Sequence, residues 1–284
     1  IELAEPVLGR SPCAFSWIAL GSHGRQEMTL ASDQDNAIVY EDGFEGASEY
    51  FLRLAEWVNS GLEACGWEAC QGEVMARSRH WRLSLSQWRQ KFSEWIALPE
   101  PQPLMEFTII FDLRSVYGDH NLVQKLREHV WEETRRRPGF YPIFAHSALQ
   151  FRPPARLFGR MIGGDSPGVL DLKEALIPLS GFARLYALKE RSAATGTRQR
   201  LQELAEMEVL RSQTLQDSLR AFDDLQGLRL TLQSASVASG RRPSNEVKLN
   251  SLDPEMQSRM QDALGQISAL QSRIGSDFFG GAPP

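Results

Sequence analysis

Along the first part of the chain, short apolar runs are set between polar, glycine-bearing joints, and each run has a readable period. Phe15 to Leu20 is a brief aromatic and aliphatic run ending at Gly21, and Asn36 to Tyr40 is a second; both predict strands. The connection between them is rich in Gly and Ser, with a short helical piece expected around Gln26 to Leu30, and Glu41, Asp42 and Gly43 make a turn. Phe51, Leu54, Ala55, Val58 and Leu62 recur with helical spacing and predict a helix that stops near Gly66. Gly72 to Ala76 reads as a third strand. Leu85, Trp88, Phe92 and Ile96 mark one face of another helix, and Met105 to Leu113 reads as an apolar strand carrying one acid, Asp112.

After Asp119 the helical period takes over, interrupted by joints at Arg137 to Gly139, Arg152 to Pro154, Gly163 to Gly168 and Gly240 to Ser244. Two stripes are especially regular: Leu215, Leu219, Phe222, Leu225, Leu228 and Leu232, then Met256, Met260, Ala263, Ile267, Leu270 and Ile274. Such stripes are the buried seams of a helical bundle. The fold class is therefore α+β: a small mixed sheet with flanking helices over residues 1–138, a helical bundle over 139–275, and a frayed tail over 276–284.

Composition narrows the picture. In 284 residues, 42% apolar content supplies a full core, while a formal charge of −5 provides no basic field to gather long nucleic acid. Cys13, Cys65 and Cys70 fall in no metal-ligand or redox spacing, so neither a disulfide framework nor a zinc site is expected, and a reducing cytoplasm fits. There is no apolar run of about 18 residues, so no membrane span is expected. The start at Ile1, directly in structured-looking sequence, reads as the edge of a piece of a longer protein.

Candidate chemistry concentrates between Gly21 and Asn36. Gly21 and Ser22 follow a strand directly, so the backbone can turn tightly and offer N–H groups, with the Ser22 hydroxyl, to a phosphate. Gly24 extends that freedom, Arg25 could add a fork of donors, and Ser32 stands nearby; Glu27 is expected to pair with Arg25. Asp33 and Asp35 are two apart at a strand start, so alternation turns both carboxylates to one face. That is a platform for a hard divalent cation, Mg²⁺ or Mn²⁺, sharing its remaining ligands with phosphates. Asp112, in an apolar run, needs a partner: either the same metals, as a third ligand and proton acceptor, or an arginine such as Arg114.

Gly21-Ser22, then Asp33-x-Asp35, then a later strand acid, resembles the nucleotidyltransferase fold of the DNA polymerase β superfamily. The fuller pattern, Gly21-Ser22-x-Gly24-Arg25-x-Glu27 with Ser32-Asp33-x-Asp35, resembles the branch holding glutamine synthetase adenylyltransferase and the PII uridylyltransferase. Met75 after Gly72, the Trp81 to Trp95 region, Phe111 to Arg114 with Tyr117 to Asp119, Asp171 to Lys173, and Arg184 to Leu188 carry a closer resemblance. It is to bacterial nucleotidyltransferases found downstream of cyclic-nucleotide-binding and CBS domains. Where that group commonly has Cys-Pro-Gly-Gly, this chain has Cys70, Gln71, Gly72 and Glu73, which departs from the pattern at the loop.

The resemblance implies transfer of a nucleoside monophosphate, AMP from ATP first among them, to a protein or small-molecule hydroxyl with release of pyrophosphate. It also implies a helical substrate-binding half and preceding regulatory domains. Met75, Arg77, Lys173, Arg184 and Asn245, with Asp171 and Arg229, are the cleft candidates it suggests, although Arg and Asp on bundle helices are commonly caps and ion pairs. A homodimer and a non-catalytic nucleotide-sensing module are the competing expectations.

Overall fold

The structure, a computed structural model, describes residues 1–149 and 169–280, and for residues 102 and 103 the backbone only. It forms two compact units: Ile1–Met28 with Ser32–Phe140, and Thr29–Ala31 with Tyr141–Pro284. The joints read at Arg152 to Pro154 and Gly163 to Gly168, and the last residues of the tail, lie outside the described residues.

The first unit is built on β1 (Phe15–Ala19) and β2 (Asn36–Tyr40), both buried along their full length. They pair antiparallel, with Phe15 opposite Tyr40 and Ala19 opposite Asn36. β3 (Arg82–Ser84) joins β2 in parallel, and β4 (Arg114–Gly118) joins β1 antiparallel, giving the mixed order β3-β2-β1-β4. Alternation sends Phe15, Trp17, Ile38 and Tyr40 to one face, where they meet Phe51, Leu54 and Ala55 of α3 (Ala47–Ala64). Complete burial of Phe51 contributes about 2–3 kcal/mol. The other face is covered by α4 (Leu85–Ala97) and α6 (His120–Arg136), with the Trp88 indole donating to the Ile38 carbonyl at 2.9 Å.

Three expectations from the sequence need correction. The helical turn in the first connection is α2 (Gly21–Gly24), not Gln26 to Leu30, because Gln26 stands at φ +60° and ends the turn. Gly72 to Ala76 is irregular, broken by Glu73 at φ +54°, and the sheet's third strand lies later, at Arg82–Ser84. Met105 to Leu113 is not a strand. Most of it is α5 (Pro101–Ile110), opened by proline, and Leu104, Phe107, Ile110 and Phe111 are buried at helical spacing while Met105 is exposed. A run apolar at nearly every position masks the period that decides between the two.

The second unit is helical. α7 (Phe140–Leu149), whose first residue belongs to the first unit, leads into it. α8 (Leu172–Lys189) is buried over most of its length and packs with α9 (Thr197–Glu206), α10 (Ser212–Ala238) and α11 (Pro254–Phe279). β5 (Val169–Asp171) and β6 (Glu246–Lys248) form a short antiparallel ribbon. The tail expected to fray from residue 276 is helix as far as Phe279, held in part by the Tyr186 hydroxyl donating to Asp277 Oδ2 at 2.6 Å. No helix among the described residues is long and apolar enough to cross a membrane.

One polar cluster inside the first unit fixes the approach to β2. Asn59, fully buried on α3, donates through Nδ2 to Gln34 Oε1 at 2.9 Å and to Asn36 Oδ1 at 3.0 Å, and its Oδ1 accepts from the Arg77 N–H. Gln34 Nε2 donates to the carbonyls of Asn59 and Trp67, and Asn36 Oδ1 also accepts from the Ala76 N–H. Each amide satisfies another that would otherwise be buried without a partner. Asn59→Ala is expected to lower stability by about 3 kcal/mol, and Asn59→Leu, which restores volume without the bonds, to recover little of it. A urea midpoint unchanged by either substitution would refute this role for the cluster.

Candidate functional site

Strand pairing sets the site before any side chain is considered. Beyond the Ala19–Asn36 register, the ladder continues with the Leu20 N–H donating to the Asp35 carbonyl at 3.0 Å. The chain leaving β1 and the chain entering β2 therefore emerge side by side. α2 closes there, and its first N–H groups, from Gly21, Ser22 and His23, have no carbonyl four residues back in helical geometry. Gly21 stands at φ +50°, and a Cβ on it would fall 2.7 Å from Asp35 Oδ2. A side chain here would be strained in its backbone and would displace the Asp35 carboxylate, which rests on the turn.

Asp33 and Asp35 are both half-buried, while Gln34 between them is buried, as alternation predicts. Beside them lies Cys70, brought over by a bridge between Gln34 and Ala69. One ligand atom each from Asp33, Asp35 and Cys70 lies within 4.8 Å of the others. Burial, and then the charge of Asp35, push the Cys70 thiol up to about 12. Spacing along the sequence gave no sign of this residue, because its link to Asp35 comes from tertiary folding across 35 positions.

Asp112 is engaged by an arginine. It sits in the turn between α5 and β4, its side chain without solvent exposure, and is not among the three grouped ligand residues. Its Oδ2 accepts from Arg25 Nη1 at 2.6 Å, while Arg25 Nε donates to Glu27 Oε2 at 2.7 Å. Burial opposes the charge of Arg25, but Asp112 and Glu27 outweigh it and hold the guanidinium above its ordinary pKa. Arg25, read from the sequence as a phosphate donor, thus commits its fork to protein carboxylates. Arg114, the arginine suggested for Asp112, does something else: Nε donates to the Gly24 carbonyl and Nη2 to the His23 carbonyl, clamping the end of α2. Gly24 is likewise a packing residue, since a Cβ there would lie 2.1 Å from the Asp112 carbonyl oxygen and 2.9 Å from that of Ala19.

His23 stands edge-on to Trp67, with ring centroids 5.5 Å apart. Burial, and then the Arg114 cation, lower its pKa, so it is neutral at pH 7. Ser32 is half-buried at the start of the Asp33 to Asp35 segment. Among the cleft candidates, Met75 is fully buried and Arg77 bridges Glu63 and Glu73. In the second unit, Lys173 is exposed on the first turn of α8, Asp171 caps that helix through the Glu174 N–H, and Arg184 is buried. Asn245 is held by Arg229 Nε at 2.7 Å and Gln233 Nε2 at 3.0 Å.

Comparison with known proteins fits this arrangement. Residues 1–102 match the family model described as "Putative nucleotidyltransferase DUF294", and residues 138–278 match the one described as "Putative nucleotidyltransferase substrate binding domain". No curated protein matches the chain.

Two substitutions test the framework. Gly24→Ala forces a methyl group into two backbone carbonyls and is expected to cost more than about 3 kcal/mol, read as loss of the native thermal transition. Arg25→Met leaves the buried Asp112 carboxylate without this cation and should cost about 3–5 kcal/mol, with much of the loss recovered when Asp112→Asn is added. Additive losses in the double variant would show that the pair is not coupled.

Proposed function

We propose that this chain, which belongs to the family whose models are described as a putative nucleotidyltransferase and its substrate binding domain, transfers a nucleoside monophosphate, AMP in the first instance, from a nucleoside triphosphate to a hydroxyl group on a protein or small molecule. One observation carries this reading: the Asp33 and Asp35 carboxylates converge where the Gly21 turn leaves β1, with Asp35 in contact with Gly21 itself.

The residues fit a divalent ion. Asp33 and Asp35 are half-exposed, their oxygens are hard donors, and they share one small space, as Mg²⁺ or Mn²⁺ requires. An ion held there would offset the charge of the triphosphate and ease ionisation of the acceptor hydroxyl. In this reading the N–H groups of Ser22 and His23, at the open end of α2, receive phosphate oxygens, with the Ser22 hydroxyl beside them. The acceptor oxygen attacks the α-phosphorus, the bond from that phosphorus to the bridging oxygen of pyrophosphate breaks, and the hydroxyl proton passes to a carboxylate or to water. Neutral His23 adds no positive charge to the turn and can only donate or accept a hydrogen bond.

Arg25, Glu27, Asp112 and Arg114 act behind this surface as positioning residues, holding the turn in the shape that Asp35 contacts. The helical unit, matched as a substrate-binding domain, is the proposed holder of the acceptor. Nucleotide-labelling assays with each triphosphate, a divalent cation and cell extract should show transfer by the wild type and at least a hundredfold less by Asp33→Asn and Asp35→Asn, with native circular dichroism in both. Equal labelling by all three proteins would overturn the assignment.

A further inference from the structure

The carboxylate pair alone describes a site for a hard cation, but the structure adds a sulfur to it. Cys70 is buried, at 8% exposure, and its Sγ lies within the same 4.8 Å as ligand oxygens of Asp33 and Asp35. The turn that follows it is closed by the Glu73 N–H donating to the Cys70 carbonyl at 3.0 Å. The donor set therefore suits an occupant that is both positively charged and thiophilic.

We propose that Cys70 is the third protein ligand of the Asp33 and Asp35 centre, and that the centre takes a zinc-class divalent ion in preference to Mg²⁺. Two oxygen ligands and one thiolate leave a fourth position open, the arrangement of a catalytic rather than a structural zinc site, and that position is where a phosphate oxygen would bind. Sulfur donors select zinc-class ions over magnesium, which seeks oxygen and keeps its waters. On binding, the S–H bond breaks, the proton leaves to water and the sulfur–metal bond forms, so a coordinated thiol is an anion whatever its pKa in the empty site. This inference rests on the carboxylate-platform reading and names its metal.

The whole chain, freed of metal and titrated with Co²⁺, should develop a sulfur-to-cobalt charge-transfer absorption in the near ultraviolet. The absorption should persist in Cys13→Ser and Cys65→Ser, vanish in Cys70→Ser, be abolished by Zn²⁺ and resist a hundredfold excess of Mg²⁺. Cys70→Ser should weaken Zn²⁺ binding at least tenfold in calorimetric titration while leaving Mg²⁺ binding unchanged. If Cys70→Ser does not fold, X-ray absorption on the zinc-loaded wild type decides the matter: a sulfur neighbour at about 2.3 Å supports the proposal, and a shell of oxygen and nitrogen alone overturns it. A cobalt band that survives in Cys70→Ser also overturns it. If Asp33→Asn and Asp35→Asn bind Co²⁺ as tightly as wild type, the carboxylate platform itself fails; if they lose binding while no sulfur band appears in wild type, only the role of Cys70 fails.

Discussion

The buried ion pair between Arg25 and Asp112 is the constraint around which the candidate site is assembled. An aspartate with no solvent exposure must be satisfied where it stands, and the guanidinium that satisfies it sits one residue beyond the α2 turn. The pair therefore ties α2 to the turn before β4, across the end of β1. Glu27 engages the other edge of the same guanidinium, and Arg114 takes the two carbonyls at the end of the turn, so the backbone is gripped from the side opposite Asp35. Lysine at position 25 would not substitute, because a single ammonium cannot span both carboxylates in a fixed plane.

On the other side of the turn the control is exercised by amides. Gln34, Asn36 and Asn59 lock the entry to β2 against α3, and alternation then presents Asp33 and Asp35 outward. The Asp33 and Asp35 carboxylates are thus left half-exposed, flanked by a rigid charge network and a rigid amide network. A site built in this way is preorganised by its supports rather than by its ligands.

Much of this was legible in the sequence, and the remainder was hidden for identifiable reasons. The strands at Phe15 and Asn36, the long helices and the carboxylate alternation follow from period alone. So does the pairing of Arg25 with Glu27, because those residues are close along the chain. The helix at Pro101–Ile110 was hidden because its residues are apolar on nearly every side, which erases the contrast that separates a period of 3.6 from a period of two. The partner of Asp112 and the place of Cys70 were hidden because each depends on segments that meet only after the sheet forms; neither is encoded in a local spacing.

The glycine contact at Asp112 separates the motif into two kinds of residue with different histories. Gly24, Arg25, Glu27 and Asp112 are held by the needs of folding, because changing any of them disturbs buried backbone or buried charge. Asp33 and Asp35 are half-exposed and lie outside that buried network. A descendant that gave up chemistry would keep the first set and drift freely in the second. The first set answers to the fold and the second to whatever the surface meets, so the two can be changed independently of one another.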